Sequence, residues 1–132
     1  MNEARAAREQ AYAPYSKFKV GASLRGASGA LYSGCNVENA AYPQGWCAEA
    51  SAIAGMIRAG ERRIVEVLVM GEGPPPCTPC GGCRQKLWEF ADASVPVHVC
   101  NPAGWLMTTT VGELMPHAFG QANLADFNGE DD

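Results

Sequence analysis

The sequence has no long apolar run and no cluster of basic residues. Its first ten residues are too charged for a signal peptide, and no later segment approaches the ~20 apolar residues of a membrane span. Ten Lys and Arg residues against fourteen Asp and Glu residues give a net charge of -4. We therefore expect a cytoplasmic protein whose partners include neither a membrane nor a nucleic-acid polymer.

Histidine is also scarce. Neither His98 nor His117 has a partner at metal-ligand spacing, and we interpret both as structural. Six cysteines remain as candidate reactive groups. Because we expect the chain in the cytosol and long enough to bury a core, reduced thiols are more plausible than disulfides. Such thiols are usually metal ligands or catalytic groups, whereas Cys35 and Cys100, at predicted strand ends, are interpreted as core.

The composition indicates a single globular domain, with 47% hydrophobic and 18% charged residues. We place this domain at residues 1–127. Residues 128–132 include three acidic side chains and are predicted to form a solvated, mobile tail. Three tryptophans, Trp46, Trp88 and Trp105, are interpreted as packing residues.

The periodicity of apolar residues predicts helices alternating with strands. The predicted helices are 3–13, 47–59, 81–90 and 111–118, and the predicted strands are 19–24, 31–35, 64–70, 95–100 and 105–110. The first two strands flank a Gly-rich turn, which indicates a hairpin, and the run at 64–70 is typical of a central strand covered on both faces. This order predicts an α/β fold, a three-layer α/β/α sandwich around a five-stranded mixed sheet.

Three cysteines fall at the starts of two predicted helices. Cys47 begins one helix, and Cys80 and Cys83 lie on the first turn of another, about thirty residues later. Unpaired N–H groups and the helix dipole stabilise thiolate there, which is the form that binds zinc. Since residues three apart lie on one side of a helix, Cys80 and Cys83 can hold one ion with Cys47 as the third ligand.

A zinc ion with three protein ligands keeps one position open for water, as catalytic zinc sites do. Glu49 follows Cys47 by two residues, so it is poorly placed to bind the same ion but can reach that water and move its proton. The sequence therefore predicts one Zn²⁺ per chain with Glu49 as the catalytic residue.

A Cys-x-x-Cys pair alone has other interpretations. A redox pair also lies at a helix N-terminus, and a structural zinc knuckle uses the same spacing. Cys77, three residues before Cys80, would complete a four-cysteine structural site with no open position. That alternative leaves Glu49 without a role, and Cys77 is more simply a loop thiol.

Five blocks of sequence occur in a characteristic order. They are APYSKFKVGA at 13–22, GCNVENA at 34–40, CAE at 47–49, PCGGCRQ at 79–85 and ELMP at 113–116. Over roughly residues 10–124 they resemble the cytidine deaminase family, small three-cysteine type. The resemblance implies hydrolysis of cytidine and deoxycytidine to uridine and deoxyuridine with release of ammonia, a pyrimidine salvage reaction. It implies that Glu49 takes a proton from water and returns protons to N3 and then to the departing amine.

The resemblance also implies a set of nucleoside-binding residues. Asn36 and Glu38 would bind the ribose hydroxyls, as an amide and a carboxylate can satisfy donor and acceptor together. Phe18 would pack on the base, and the backbone N–H of Ala48 would donate to a base oxygen. A free pyrimidine nucleoside is the implied substrate.

Similar small family members are homotetramers whose active sites share residues across interfaces. Tyr42 and Phe119 are candidates for donation to a neighbouring subunit, Phe119 by stacking on the base. The resemblance therefore implies further copies of this chain as partners.

Ala50 departs from the family pattern, which has Arg after Cys-Ala-Glu. That Arg is thought to bond the ligand sulfurs, and three thiolates with one zinc ion carry a net negative charge. We therefore expect a more electron-rich site and a bound water of higher pKa, with the two helix N-termini and Arg84 as remaining sources of positive charge.

Ala50 also leaves two alternatives open for the function. Blasticidin S deaminases, which resemble cytidine deaminases, also lack this Arg, so a modified cytosine nucleoside or such an antibiotic is an alternative substrate. A non-catalytic zinc-binding interaction module is the alternative of another class, and it would need the three cysteines but not Glu49.

Overall fold

A computed structural model of the protein describes residues 1–128. The helices are α1 (Asn2–Glu9), α2 (Ala48–Arg58), α3 (Gly81–Phe90), α4 (Val111–Leu114) and α5 (Gln121–Asn128), and a 3-10 turn spans Tyr42–Gln44. The strands are β1 (Gly21–Gly26), β2 (Leu31–Cys35), β3 (Ile64–Met70), β4 (Pro96–Asn101) and β5 (Gly104–Thr110). Within this part of the chain, no helix combines the length and apolar character that crossing a bilayer requires.

The five strands form one mixed sheet in the order β2-β1-β3-β4-β5. β3 and β4 are parallel, and every other neighbouring pair is antiparallel. The β1–β2 hairpin turns at Gly29, whose φ of 93° favours glycine. The predicted hairpin and five-stranded mixed sheet are confirmed.

Successive residues of the sheet face helices on opposite sides. Gly21 lies against α1 so closely that an added Cβ would overlap the Ala4 carbonyl oxygen. Gly34, which pairs with the next residue Ala22, lies against α2, where an added Cβ would crowd the Ala52 nitrogen. Helices therefore cover both sides of the sheet, and the predicted three-layer α/β/α architecture is confirmed.

The direction of two strands decides where α2 and α3 begin. β2 and β3 are both antiparallel to β1, so they point the same way and end at the same edge of the sheet. The loop after β2 leads to α2, and the loop after β3 leads to α3. The N-termini of the two helices consequently meet over this edge, which is where sites form in sheets of this kind.

The main core lies between the sheet and the α2–α3 layer. Its fully buried side chains include Leu24, Met56, Val67, Val69, Leu87, Val97 and Val99. On the opposite side, Ala4, Met70 and Cys100 form a small second cluster under α1. Cys100 is thus core as expected, while Cys35 is half-buried.

The prediction that β3 is covered on both faces holds only in part. Met70 is buried on the α1 side, but Glu66 and Leu68 on the same side are half-buried. The reason is the length of α1, whose eight residues reach only one end of the sheet.

Two helices end earlier than the sequence predicts. α1 stops at Glu9 rather than near residue 13, because Tyr12 exchanges backbone hydrogen bonds with Asn36 and Glu38. The helix expected over 111–118 ends at Leu114, and α5 was not predicted. Of the predicted acidic tail, residues 129–132 lie outside the described residues, and Asn128 is the last residue of α5.

Candidate active site

The thiols of Cys47, Cys80 and Cys83 form one cluster where α2 and α3 begin. The three Sγ atoms lie within 4.8 Å of one another. Cys47 Sγ and Cys80 Sγ are 3.7 Å apart. Two sulfurs bound at about 2.3 Å to a tetrahedral zinc ion are separated by about 3.8 Å, so the separation of the Cys47 and Cys80 sulfurs fits such an ion.

Two of the three cysteines are the residues at which α2 and α3 begin. Cys47 is the N-cap of α2 and Cys80 is the N-cap of α3, each with extended backbone and no side-chain cap. The Cys83 backbone N–H donates to the Cys80 sulfur. Burial raises the pKa of Cys80, but this N–H and hydrogen bonds with the Cys47 and Cys83 thiols outweigh it and lower the pKa below its usual value.

The other two thiols resist ionisation on their own. Burial raises the pKa of Cys47, and burial with the nearby Glu49 carboxylate raises the pKa of Cys83 strongly. A cation placed among the three sulfurs would reverse both effects, because it offsets the mutual repulsion of thiolates. A three-thiol donor set of this kind suits zinc.

Glu49 lies on the first turn of α2 with only 4% of its surface exposed. Burial raises the pKa of its carboxyl group, while its own backbone N–H and the Lys86 ammonium favour the charged form. A carboxyl whose charged form is disfavoured by burial but favoured by these neighbours can both accept and return a proton.

The cluster opens into a cavity of about 350 Å³ between the loop after β2 and the loop before α3. Its walls include Val20, Asn36, Val37, Glu38, Tyr42, Gly45, Trp46, Cys47, Ala48, Glu49, Cys77, Thr78 and Cys80. Of the residues singled out by sequence, the cavity thus brings together Glu49, the Ala48 backbone, Asn36, Glu38 and Tyr42 beside the thiols.

Asn36 is fixed by the chain segment that carries Phe18. Its Oδ1 accepts from the Val20 N–H at 2.9 Å, and its Nδ2 donates to the Phe18 carbonyl at 2.8 Å. An amide has two donor protons and two lone pairs, so one donor and one acceptor remain for a ligand.

Glu38 is fixed by the turn at residues 15–16. Its Oε1 accepts from the Tyr15 and Ser16 N–H groups at 2.9 and 3.1 Å, and its Oε2 accepts from the Ser16 hydroxyl. The Ser16 hydroxyl is the main reason that the pKa of Glu38 lies below its usual range. Glu38 is therefore a charged acceptor with capacity left on Oε2.

The aromatic residues singled out by sequence are distributed unequally. Tyr42 is 75% exposed, yet it lines the cavity of its own chain and contacts the Tyr15 ring edge-on. Phe18 is 40% exposed and is not among the residues that line this cavity, although its ring lies near Gly71. Phe119 is 58% exposed and does not line this cavity; its carbonyl accepts from Gln85.

Sequence reasoning missed several residues of the cavity wall. Trp46, interpreted as a packing residue, is largely exposed and lines the cavity. Its position directly before Cys47 was a usable signal. Cys77 also lines the cavity but stands outside the three-thiol cluster found among the described residues, which does not favour the four-cysteine structural site.

Arg84 does not take the place of the arginine missing at Ala50. Its guanidinium donates to the Pro79 carbonyl at 2.7 Å, to Thr78 Oγ1 at 3.1 Å and to the Leu114 carbonyl at 3.4 Å. These partners place Arg84 as a brace for the loop that precedes α3, and the expectation that it helps the sulfurs is not supported.

The sequence and fold can be placed among known proteins. Residues 1–99 match the family model of the cytidine and deoxycytidylate deaminase zinc-binding region. The cytidine deaminase of Sporosarcina psychrophila is 44% identical over 123 residues, which cover 93% of this chain and 90% of the relative. The cytidine deaminase of Halalkalibacterium halodurans is 40% identical over 126 residues, covering 96% of each chain.

Solved structures agree with the sequence relatives. The crystal structure of cytidine deaminase from Burkholderia pseudomallei matches with a TM-score of 0.85 at 44% identity, over 89% of this chain and 94% of that one. A mutant cytidine deaminase from Mycobacterium tuberculosis matches with a TM-score of 0.82 at 32% identity, over 93% of this chain and 94% of that one. The motifs, the fold and the thiol cluster therefore have a common explanation: the chain belongs to the cytidine deaminase family.

Proposed function

We propose that the protein catalyses the zinc-dependent hydrolytic deamination of cytidine and deoxycytidine. The observation that carries the proposal is the buried Glu49 carboxylate, which shares a cavity wall with the thiols of Cys47 and Cys80. Cys47, Cys80 and Cys83 would hold the zinc ion, which would supply Lewis acidity and lower the pKa of the attacking water.

The protein's own residues would manage the protons of this reaction. Glu49 accepts a proton from the attacking water and delivers it to N3 of the pyrimidine as the C4–O bond forms. It then takes the water's second proton, now on the C4 hydroxyl, and carries it to the amino group as the C4–N bond breaks and ammonia leaves. A non-catalytic zinc module has no need of such a carboxylate, and burying one is costly, so the burial of Glu49 favours an enzyme.

Asn36 and Glu38 would bind the sugar. Both face the cavity, and both keep hydrogen-bonding capacity after their contacts with the segment that contains Tyr15 and Phe18. Because the sugar-binding groups also hold that segment, we propose that Phe18 is positioned to pack on the base through Asn36.

We further propose a homotetramer in the cytoplasm, acting in pyrimidine salvage, with one zinc ion per chain. Phe119 supports shared sites, because an aromatic side chain that is 58% exposed and absent from its own cavity wall is available to a neighbouring subunit. Sedimentation and cytidine kinetics of the Phe119→Ala variant test this. Normal tetramer mass with a raised KM supports sharing, and an unchanged KM argues against it.

The activity is tested by mixing the zinc-loaded protein with cytidine, deoxycytidine or blasticidin S. We expect the absorbance of both nucleosides to fall with release of one ammonia per uracil nucleoside formed. Turnover of blasticidin S alone would replace the substrate assignment. No turnover of any of the three by protein that holds one zinc per chain would favour the zinc module.

A further inference from the structure

The negative charge of the thiol cluster calls for a nearby cation besides zinc. Three ionised thiols and the Glu49 carboxylate outweigh the two charges of a zinc ion. Ala50 contributes no charge, and Arg84 is turned toward Pro79, Thr78 and Leu114.

The small side chain of Ala50 leaves room beside the cluster. An open cavity of about 290 Å³ lies there, separate in most of its lining from the nucleoside cavity. Its walls include Trp46, Cys47, Ala50 and Lys86. A basic side chain therefore lines the same space as a zinc-ligand cysteine.

Lys86 enters this space from α3. It follows Cys83 by three residues, so the two side chains lie on neighbouring positions of one helix side. Side chains on a helix lean toward its N-terminus, which brings the Lys86 ammonium over the turn that carries the cysteines. Its Nζ lies 3.6 Å from where a Cβ on Gly82 would stand, beside the first turn of α3.

We propose that Lys86 is a positioning residue that offsets the negative charge of the zinc–thiolate site through Cys47, across the space left by Ala50. In this chain a lysine on α3 thus supplies a positive charge that Ala50 on α2 does not. The proposal rests on the proposed function for the presence of zinc, but not for the substrate.

Zinc affinity is the direct readout of this charge. In Lys86→Met we expect the zinc dissociation constant to rise about tenfold, within the range typical of residues that support metal ligands. Lys86→Arg keeps the charge and should bind zinc like the unchanged protein. Because Lys86 is solvent-exposed, the difference between Lys86→Met and the unchanged protein should shrink at high salt.

A second substitution asks whether charge alone is needed. Ala50→Arg in the Lys86→Met background should restore zinc affinity, since it puts a guanidinium into the same space. With Co²⁺ in place of zinc, we expect the thiolate-to-metal absorption band to move to longer wavelength in Lys86→Met. The reason is that thiolates without a neighbouring cation transfer electron density to the metal more readily. In the double variant the band should return to its original wavelength.

Arg58→Met is the matched control. Arg58 is a cation on α2, roughly 16 Å along the helix from Cys47, and its removal should leave zinc affinity unchanged. Lys86→Gln provides a second neutral variant if Lys86→Met folds poorly by circular dichroism.

Zinc affinity within twofold of the unchanged protein in both neutral variants overturns the proposal. An equal loss of zinc affinity in Arg58→Met also overturns it. So does a loss of zinc affinity that is equally large in Lys86→Arg and in the double variant Ala50→Arg, Lys86→Met. If the unchanged protein binds zinc but does not deaminate cytidine, the proposed function fails and the zinc affinities still decide the role of Lys86.

Discussion

The two faces of the sheet differ in what covers them. Under α2 and α3 most side chains are apolar and buried, as with Leu24 and Val97, and the polar Thr109 is buried beside Val97. Under α1 only one end is packed, and beyond it Glu66, His98 and Trp105 lie partly in solvent. We call the face of the sheet covered by α2 and α3 the dry face. The thiol cluster lies at the N-termini of these two helices. A rigid, close-packed layer holds ligands at fixed spacing, which metal binding and catalysis both require.

Polar residues on the α1 face are organised by contacts among themselves. His98 Nε2 lies 2.8 Å from Glu66, His98 Nδ1 lies 3.0 Å from Thr108 Oγ1, and the His98 ring lies against Trp105. These contacts satisfy polar groups beside an open cavity of about 310 Å³ whose lining includes Glu66, His98 and Trp105. The comparison predicts that equivalent changes on the two faces have unequal consequences.

Two buried cysteines on opposite faces give the largest contrast. Cys83→Ser should abolish zinc binding and lower deamination by more than about a hundredfold, since even residues behind metal ligands cost that much. Cys100→Ser, an equally buried thiol under α1, should keep its zinc. Metal analysis after dialysis measures both, and equal zinc content in the two variants would contradict the assignment of the ligands.

Stability should divide along the same line. Leu24→Ala removes a fully buried side chain from the dry face and should lower the free energy of unfolding by about 2–5 kcal/mol. Trp105→Ala removes a larger side chain that is 59% exposed, and the loss should stay below about 1 kcal/mol. Urea unfolding measures the pair, and a larger loss for Trp105 would show that the α1 face is covered in solution.

The smallest effect concerns the pH dependence of stability through Glu66. The hydrogen bond from His98, assisted by Arg25, holds the pKa of Glu66 below its usual range despite partial burial. A carboxyl whose pKa falls on folding stabilises the protein above its unfolded pKa, about 4.3, and loses that contribution as pH falls through the folded value.

Glu66→Gln should therefore be less stable than the unchanged protein at neutral pH and equal to it in acid. The difference should stay below about 1 kcal/mol, because 41% of the Glu66 side chain is exposed and solvent screens the pair. Urea unfolding across pH checks this, and a difference that grows in acid would have the wrong sign.

The sequence predicted best where local pattern and tertiary packing agree. The apolar run at 64–70 and the helix after Cys80 have the expected bounds, because each is ended by Gly- or Pro-containing loops or by a change in polarity. The predicted end of α1 was wrong. Tyr12 forms a β-bridge with Val37 instead of continuing the helix, and these two residues are far apart in sequence. The chain's local propensities contain no record of such pairings.

The site was predictable in its ligands but not in its electrostatics. Cys47, Cys80 and Cys83 carry a spacing signal that survives without structure. The sequence does not show whether Arg84 or Lys86 supplies the positive charge near the thiols. In the structure Arg84 hydrogen-bonds to the loop before α3, whereas Lys86 lines the space beside Cys47. The cavity walls supplied by Trp46 and Cys77 likewise arise from loops that converge only in three dimensions.

Glu49→Gln tests the central claim most directly, with zinc content and cytidine turnover measured on one sample. The amide has nearly the same shape but cannot accept and return a proton. We predict one zinc per chain and a loss of turnover of about 10²- to 10⁴-fold, the usual contribution of proton transfer. Full zinc with turnover equal to that of the unchanged protein would contradict the account.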